Sequence, residues 1–301
     1  MQTRITYISI DLKTCPQLQW AVGRPGVQFV NFDSTESLES GPRLLIVSEK
    51  TLSQMSQAYF GALDKASDST MVLVYDKVNP AKSLEWLMNC TSINHLVSLK
   101  SERSEQDLQK LVFTPNYSHY LENLELKDSV KWALTEFDNS HNVFEEIGGY
   151  AASLNSFPDF PRITQTIVSE LLNNAFFDAK QEQSSSGKDK SQMPTDAQVE
   201  LRYGKEDSGY LWIFVKDPFG SLDRRKLLFN IHRVADQKTA QFSESDSGAG
   251  IGLAMLFNWS TSLHFVVTKE KSTLVACSLK IVKRNREFQL GKSSLHISMI
   301  K

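Results

Sequence analysis

Long apolar runs are missing from this chain. No stretch of its 301 residues approaches the roughly 18 consecutive apolar residues that a bilayer-spanning helix needs. The opening residues, MQTRITYISIDLKT, hold neither an apolar stretch nor a small-residue cleavage site, so no secretory leader is expected. Cysteine is scarce as well. Cys15, Cys90 and Cys277 are odd in number and far apart, which fits neither a disulfide framework nor a metal-spaced cluster. They suit reduced, buried thiols in a cytoplasmic protein. An excess of charge is also lacking: the formal net charge of −2 gives no electrostatic reason to expect nucleic acid or an anionic membrane as partner. No internal repeat is present. What remains is 41% hydrophobic and 23% charged residues, enough for ordinary cores. The length suggests about two domains.

The first third alternates two kinds of segment. RITYISI (4–10), VQFVNF (27–32), RLLIVS (43–48), TMVLVY (70–75) and NHLVSL (94–99) have strand composition. CPQLQWAV (15–22), TLSQMSQAYFGAL (51–63), AKSLEWLMN (81–89) and SEQDLQKLVF (104–113) have helical composition. Short apolar strands alternating with helices imply a parallel sheet covered on both faces. Residues 1–115 are therefore expected to form a flavodoxin-like, doubly wound α/β domain.

TPNYSHYLENLE (114–125) breaks the rhythm, and residues 116–139 are expected to form a helical connector in which LKDSVKWALTEF (126–137) is a helix. Residues 140–301 make the second expected domain. Helices are expected at HNVFEEIGGYAASL (141–154), weakened by Gly148 and Gly149, at the segment containing SELLNNAFFDA (169–179), at LDRRKLLFNIHRV (222–234) and at GLAMLFNWSTS (252–262). Strands are expected at AQVELRY (197–203), YLWIFVKD (210–217), LHFVVTKE (263–270) and TLVACSLKIV (273–282), pairing as hairpins in an α+β sandwich. QEQSSSGKDKSQMPTD (181–196) reads as a flexible loop, and QKTAQFSESDSGAG (237–250) as a polar, mobile one. The tail REFQLGKSSLHISMI (286–300) stays open between an edge strand and a partner contact.

Three stretches of the second half carry chemistry. In the helix that contains SELLNNAFFDA, Ile167, Val168, Leu171, Leu172, Ala175 and Ala179 form an apolar stripe, while Glu170, Asn174 and Asp178 recur every fourth residue on the opposite face, beside Asn173. A carboxylate and a carboxamide one turn apart can offer oxygens to Mg²⁺ and its waters. In VKDPFGSLD, Asp217 ends an apolar strand and can accept a hydrogen bond from an exocyclic amine; the alternative is an ordinary turn-forming Asp-Pro. In SGAGIGL, Gly248, Gly250 and Gly252 alternate just before a helix, where the backbone can approach phosphate and the helix N-terminus favours it. The loop neither follows a strand, as a dinucleotide loop does, nor holds the Gly-Lys-Ser/Thr of a P-loop.

In this order and spacing, the three stretches resemble the boxes of the GHKL ATPase superfamily, which includes gyrase B, MutL, histidine kinases and the anti-sigma-factor serine kinases. The resemblance covers about residues 140–282: ELLNNA (Glu170 to Ala175), DPFG (217–220) and GAGIGL (248–253) stand for the three boxes. It implies ATP and Mg²⁺ as cofactors. Glu170 would be the general base or water-orienting carboxylate and would meet the metal through water. Asn174 would ligate Mg²⁺, and Asp178 would be a pocket residue. Asp217 and Thr273 would face adenine. Gly220 would supply flexibility, and Gly248, Gly250 and Gly252 would approach the phosphates. Residues from about 222 to 247 would be the lid. The second box departs from Asp-x-Gly-x-Gly: Phe219 and Ser221 stand at the glycine positions, with Gly220 between them.

A histidine-kinase hairpin does not fit, because only 28 residues lie between His141 and Glu170. The anti-sigma serine kinases are the nearest likeness, with one short helix before the box-bearing one. The first domain resembles a receiver that lacks its phosphorylatable aspartate: only Asp11 stands near the first acidic position, Ser48 or Glu49 occupies the acceptor position, and Lys100 matches the receiver lysine. The expectation is a cytoplasmic, ATP/Mg²⁺-binding signalling protein, kinase-like towards serine or threonine of a protein partner, with homodimerisation open. The alternative is a non-catalytic interaction module with both halves degenerate. A plain ATPase clamp is a weaker third reading.

Overall fold

The computed structural model describes residues 5–10, 15–29, 43–54, 69–76, 80–114, 116–137, 141–178, 198–236, 251–289 and 293–300. Its strands are β1 (Ile5–Ser9), β2 (Val27–Phe29), β3 (Arg43–Ser48), β4 (Ser69–Tyr75), β5 (Ile93–Ser98), β6 (Lys127–Leu134), β7 (Val199–Glu206), β8 (Tyr210–Asp217), β9 (Ser262–Thr268), β10 (Ser272–Lys280) and β11 (Ser294–Ile300). Its helices are α1 (Glu49–Gln54), α2 (Ala81–Asn89), α3 (Ser104–Phe113), α4 (Tyr117–Glu122), α5 (His141–Ser153), α6 (Phe160–Asn173), α7 (Arg224–Asp236), α8 (Ile251–Trp259) and α9 (Asn285–Gln289). A 3-10 turn spans Pro16–Ala21.

All eleven strands join in one mixed sheet, in the order β2-β1-β3-β4-β5-β11-β9-β10-β8-β7-β6. The first five in that row are parallel. The last five are antiparallel neighbours. β11 joins the two groups, antiparallel to β5 and parallel to β9. The C-terminal tail is thus neither an edge strand nor a free arm. The run SLHISMI alternates buried apolar Leu295 and Ile297 with residues on the other face, and that period of two suits a strand with neighbours on both sides.

Residues paired across a sheet share a face, so the register traces one continuous row: Val47, Leu73, Leu96, Leu295, Leu263, Cys277, Ile213, Tyr203, Val130. This face carries the main core, closed by Leu52 of α1, Leu84 and Leu87 of α2, Ile147 of α5, Ile167 and Leu171 of α6, Leu228 of α7 and Leu256 of α8. The opposite face holds two smaller clusters. Ile46, Val72 and Val97 meet Leu108 and Leu111 of α3, while Trp212, Phe214 and Ala276 meet Leu121 of α4.

The expected helix over 126–137 is instead β6. Val130, Trp132 and Leu134 pack on the core side of the sheet while Lys127, Ser129 and Lys131 are exposed, a two-residue alternation that outweighs the helical composition of the segment. The connector before it also contains α4, capped by Asn116, whose side chain accepts the His119 amide at 3.0 Å. The three cysteines are buried, and none is in a disulfide among the described residues. Burial pushes the Cys15 thiol up to about 11 and the Cys277 thiol to about 12, which leaves both protonated and inert. No described helix is long and apolar enough to cross a membrane.

Candidate functional site

α6 begins with Pro161 in its first turn and buries Ile163, Ile167, Val168, Leu171 and Leu172 against the sheet. Gly148 lets it lie close to α5: a Cβ there would strike the Gln165 side chain, whose amide donates to the Phe144 carbonyl at 2.8 Å. Glu170, Asn173 and Asn174 are half-buried on the remaining face. At Asn174 the helix widens into a π turn, Asn174–Asp178. Such turns mark a local change of side-chain direction and occur often at functional sites. The amide of Asn174 still bonds to the Glu170 carbonyl, so Glu170 and Asn174 keep their one-turn relation. Asn174 to Asp178 is no longer an α-helical turn; the Asp178 side chain lies outside what is described. Ala175 and Phe176 are buried in the core.

The π turn packs against β8, and α6 packs against α8. These contacts bring the first and third stretches together and set the first on the strand that leads into the second. Gly252, in the first turn of α8, faces Glu170 so closely that a Cβ would collide with the carboxylate. Gly248 and Gly250 lie outside the described residues.

At the end of β8, Asp217 is 6% exposed and stands opposite Thr273 of β10. Its Oδ1 accepts the Phe219 amide at 2.9 Å, closing the turn that Pro218 starts. Burial raises the Asp217 pKa; the amides of Phe219 and Gly220 and the Thr273 hydroxyl and amide pull against that rise. Asp217 and Thr273 therefore form one buried hydrogen-bonded pair. Phe219 is buried beneath the turn. Gly220 has φ +61°, and a Cβ would strike the Thr268 carbonyl; its own carbonyl accepts the Glu270 amide at 3.3 Å. It serves close packing of this turn on the β9–β10 connection.

Of the expected lid, residues 224–236 are helix α7, packed against both α2 and α8. Arg224 donates to the carbonyls of Ile93 (2.8 Å) and Cys90 (3.3 Å), and His232 Nε2 lies 3.5 Å from the Glu85 carboxylate. Residues 237–250 lie outside the described ones. His141 is 80% exposed beside Glu145.

In the first half, Ser48 stands 3.0 Å from the Thr51 hydroxyl, which donates to the Ser9 carbonyl at 2.8 Å. Glu49 accepts from Ser83 at 2.5 Å. Hydroxyls thus occupy the expected acceptor region, and Asp11 lies outside the described residues. Among the described residues no group of His, Cys, Asp and Glu is arranged to hold a metal by protein ligands alone.

A separate trough of about 580 Å³ opens on the other face of the sheet, with Lys131, Arg202, Phe214 and Lys216 in its lining. Two of its cations are engaged. Arg202 lies over the Phe214 ring at 4.2 Å and donates to the Leu124 and Leu121 carbonyls, and Lys216 meets Glu122 at 3.2 Å.

Sequence reasoning missed a polar cluster at the middle of the sheet. His95, His296 and His264 are successive register partners on β5, β11 and β9. Beside them Arg103, 1% exposed, donates to Asp107 (3.0 Å) and Glu206 (2.5 Å) and lies over the rings of Tyr210 and Trp212. The available signal was a histidine set among apolar residues in three strand-like runs, NHLV, LHFV and LHIS. No protein-family model matches the chain, and comparison with curated proteins gives no match.

Proposed function

We propose that the chain is a two-part signalling protein of mixed α/β fold whose second part, residues 140–301, binds Mg²⁺-ATP in a site of the GHKL type and acts as a kinase-like switch on a serine or threonine of a protein partner. The observation that carries this reading is the meeting of the first and third stretches, Glu170 against Gly252, on a helix whose π turn packs on the strand ending in Asp217. The first and third stretches, far apart in sequence, thereby meet, and the first packs on the strand that leads into the second. The donor set fits the ligand. Glu170 and Asn174 offer oxygens of the kind Mg²⁺ takes alongside its waters and phosphates. A nine-residue helix, α8, turns its N-terminus towards them.

Bound Mg²⁺-ATP would supply the transferable phosphoryl group and most of the charge neutralisation. The chain's part is positioning. Glu170 would orient or deprotonate the attacking hydroxyl, and Asn174 would hold the metal's approach. Asp217, kept in place by Thr273 and the Phe219 amide, would present its carboxylate to an amine. The order β2-β1-β3-β4-β5 supports a flavodoxin-like first part, residues 1–115, with 116–139 connecting it to the second. The hydroxyls around Ser48 support a receiver-like part that does not accept phosphate. A cytoplasmic setting agrees with the buried thiols.

Isothermal calorimetry with ATP, with and without Mg²⁺, tests the reading. Metal-dependent binding that Glu170→Ala and Asn174→Ala weaken is expected. No heat of binding in the wild-type protein would end it. A non-catalytic scaffold is favoured by one observation, the burial of Phe219 and the backbone packing of Gly220 in the second stretch. Phosphate transfer or release that Glu170→Ala abolishes would exclude the scaffold.

A further inference from the structure

Across the seam where β11 joins the two strand groups, the face opposite the main core reads Ile46, Val72, His95, His296, His264, Ala276, Phe214 from strand to strand. Three histidines thus stand side by side between two apolar clusters, at 5%, 2% and 1% exposure. His95 Nδ1 is 3.1 Å from His296 Nδ1, so one of the two must carry a proton and the other must not. The rings of His296 and His264 stack, with centroids 4.4 Å apart and planes 9° apart. His264 Nε2 meets the Ser262 hydroxyl at 2.9 Å, Tyr117 lies 3.5 Å from its Nδ1, and His296 Nε2 is buried without a hydrogen-bond partner among the described residues. This geometry suits neutral imidazoles. Charged rings at these distances would repel one another in so buried a site.

We propose that the file His95–His296–His264 is an acid-operated latch: while neutral it holds β11 between β5 and β9, and protonation releases β11 from β5 and parts the two strand groups.

The surroundings set the direction. From the turn before α3 and from α3 itself come Arg103, Asp107 and Lys110; from α4, Tyr117 and Tyr120; from β7, Glu206; from β8, Tyr210. β4 presents Val72 and β10 presents Ala276. Glu206 and Asp107 are both held by Arg103, and Lys110 also reaches Glu206 at 3.3 Å. Burial depresses the pKa of His264, with Arg103, His95 and Lys110 adding to it, and burial depresses that of His296, with His264, His95 and Arg103 adding. A base depressed in the folded state contributes its stabilisation fully above the ordinary histidine pKa of about 6.5 and loses it as pH falls below that value. Asp107 works the other way: burial pushes it up to about 6, against Arg103, so its protonation on acidification relieves a cost. One carboxyl raised by a modest amount opposes two imidazoles lowered well below their ordinary value. The opened form therefore takes up about one net proton, and the opening equilibrium shifts about 10-fold per pH unit below pH 6.

Hydrogen exchange on the full chain between pH 7.5 and 5, corrected for the intrinsic rate, tests the latch. Protection of β5 and β11 amides should fall about 10-fold per unit below pH 6 while the β7–β8 hairpin stays protected. His296→Leu, which removes one titrating ring and its orphaned nitrogen, should flatten that slope. Protection of β5 and β11 that is constant with pH, or an unchanged slope in His296→Leu, overturns the proposal. If the variant does not fold, imidazole proton resonances of the wild-type chain decide. Rings of the file that titrate near pH 6.5 with β11 still protected refute the latch; rings that titrate only together with the loss of protection support it. None of these readouts depends on nucleotide.

Discussion

Glycines at the candidate site separate backbone need from ligand need. Gly220 and Gly209 both have positive φ, at 61° and 87°, but a Cβ at Gly209 meets nothing within 4 Å while one at Gly220 runs into the β9–β10 connection. Gly209→Ala should therefore cost only the left-handed strain, about 1–2 kcal/mol. Gly220→Ala should add about 1–3 kcal/mol for the collision. Chemical denaturation of the two variants measures the gap, and equal losses would refute the close approach. Thr273→Val removes the hydroxyl that Asp217 accepts within a buried pair, for an expected loss of about 1–3 kcal/mol at neutral pH. The sign with pH follows from the raised Asp217 pKa. The folded state holds the extra proton, so whatever stability Asp217 contributes is present at low pH and is lost as pH rises through its folded pKa. Losing a bond that lowers that pKa raises it further. The deficit of Thr273→Val relative to wild type should therefore shrink as pH falls from 7 to 4. Subtracting wild-type melts at each pH removes the histidine contribution, and a deficit that grows on acidification would contradict the pairing.

Among the elements, α7 has an unexpected neighbour. A lid should move against its own half, yet α7 lies between α8, which carries Gly252, and α2 of the first strand group. Arg224 fixes its start to the carbonyls at the beginning of β5. Arg224→Ala should cost about 1–3 kcal/mol, since it strips a charged donor from partly buried carbonyls. It should also raise hydrogen exchange in α7 more than in α6; equal exchange in α7 before and after would show that α2 does not hold it. That docking could not be read from the sequence, because LDRRKLLFNIHRV announces an amphipathic helix but not which helix receives its apolar face. Strands with strong apolar runs, such as YLWIFVKD and RLLIVS, were legible because burial on both faces demands such composition. DSVKWAL was not, because its alternating signal was set against lysine, alanine and leucine, which favour helices. Glu170 and Gly252 were legible as candidates, since spacing alone marks a polar helix face and a glycine-rich helix start. The packing of Gly220 and the histidine file were not, because both depend on which strands become neighbours.

Taken as a whole, the described residues show no break in the main core at the point where the sequence divides into two patterns. The row from Val47 to Val130 passes through β11 without a gap, and residues of α1, α2, α5, α6, α7 and α8 belong to the same cluster. Arg103, from the first strand group, is buried against Glu206, Tyr210 and Trp212 of the second. Removing either group would expose core leucines along β11 and leave Arg103 and Glu206 without each other, and a buried pair broken on one side costs about 3–5 kcal/mol. The two strand groups should therefore melt together at neutral pH. Scanning calorimetry is expected to give one transition whose calorimetric and van't Hoff enthalpies agree. Leu73→Ala, a buried truncation in β4 with an expected cost of about 2–5 kcal/mol, should shift that whole transition rather than split it. Near-ultraviolet circular dichroism, to which Trp132 and Trp212 of the second strand group contribute beside Trp20, Trp86 and Trp259, should follow the same shifted curve as the far-ultraviolet signal. Two separated transitions in the wild-type chain, or a tryptophan signal indifferent to Leu73→Ala, would mean that the continuous sheet does not couple its ends energetically. A single transition at pH 7.5 that divides in two below pH 6 would locate the coupling at the histidine seam, since that is where the neutral and protonated forms of the protein differ.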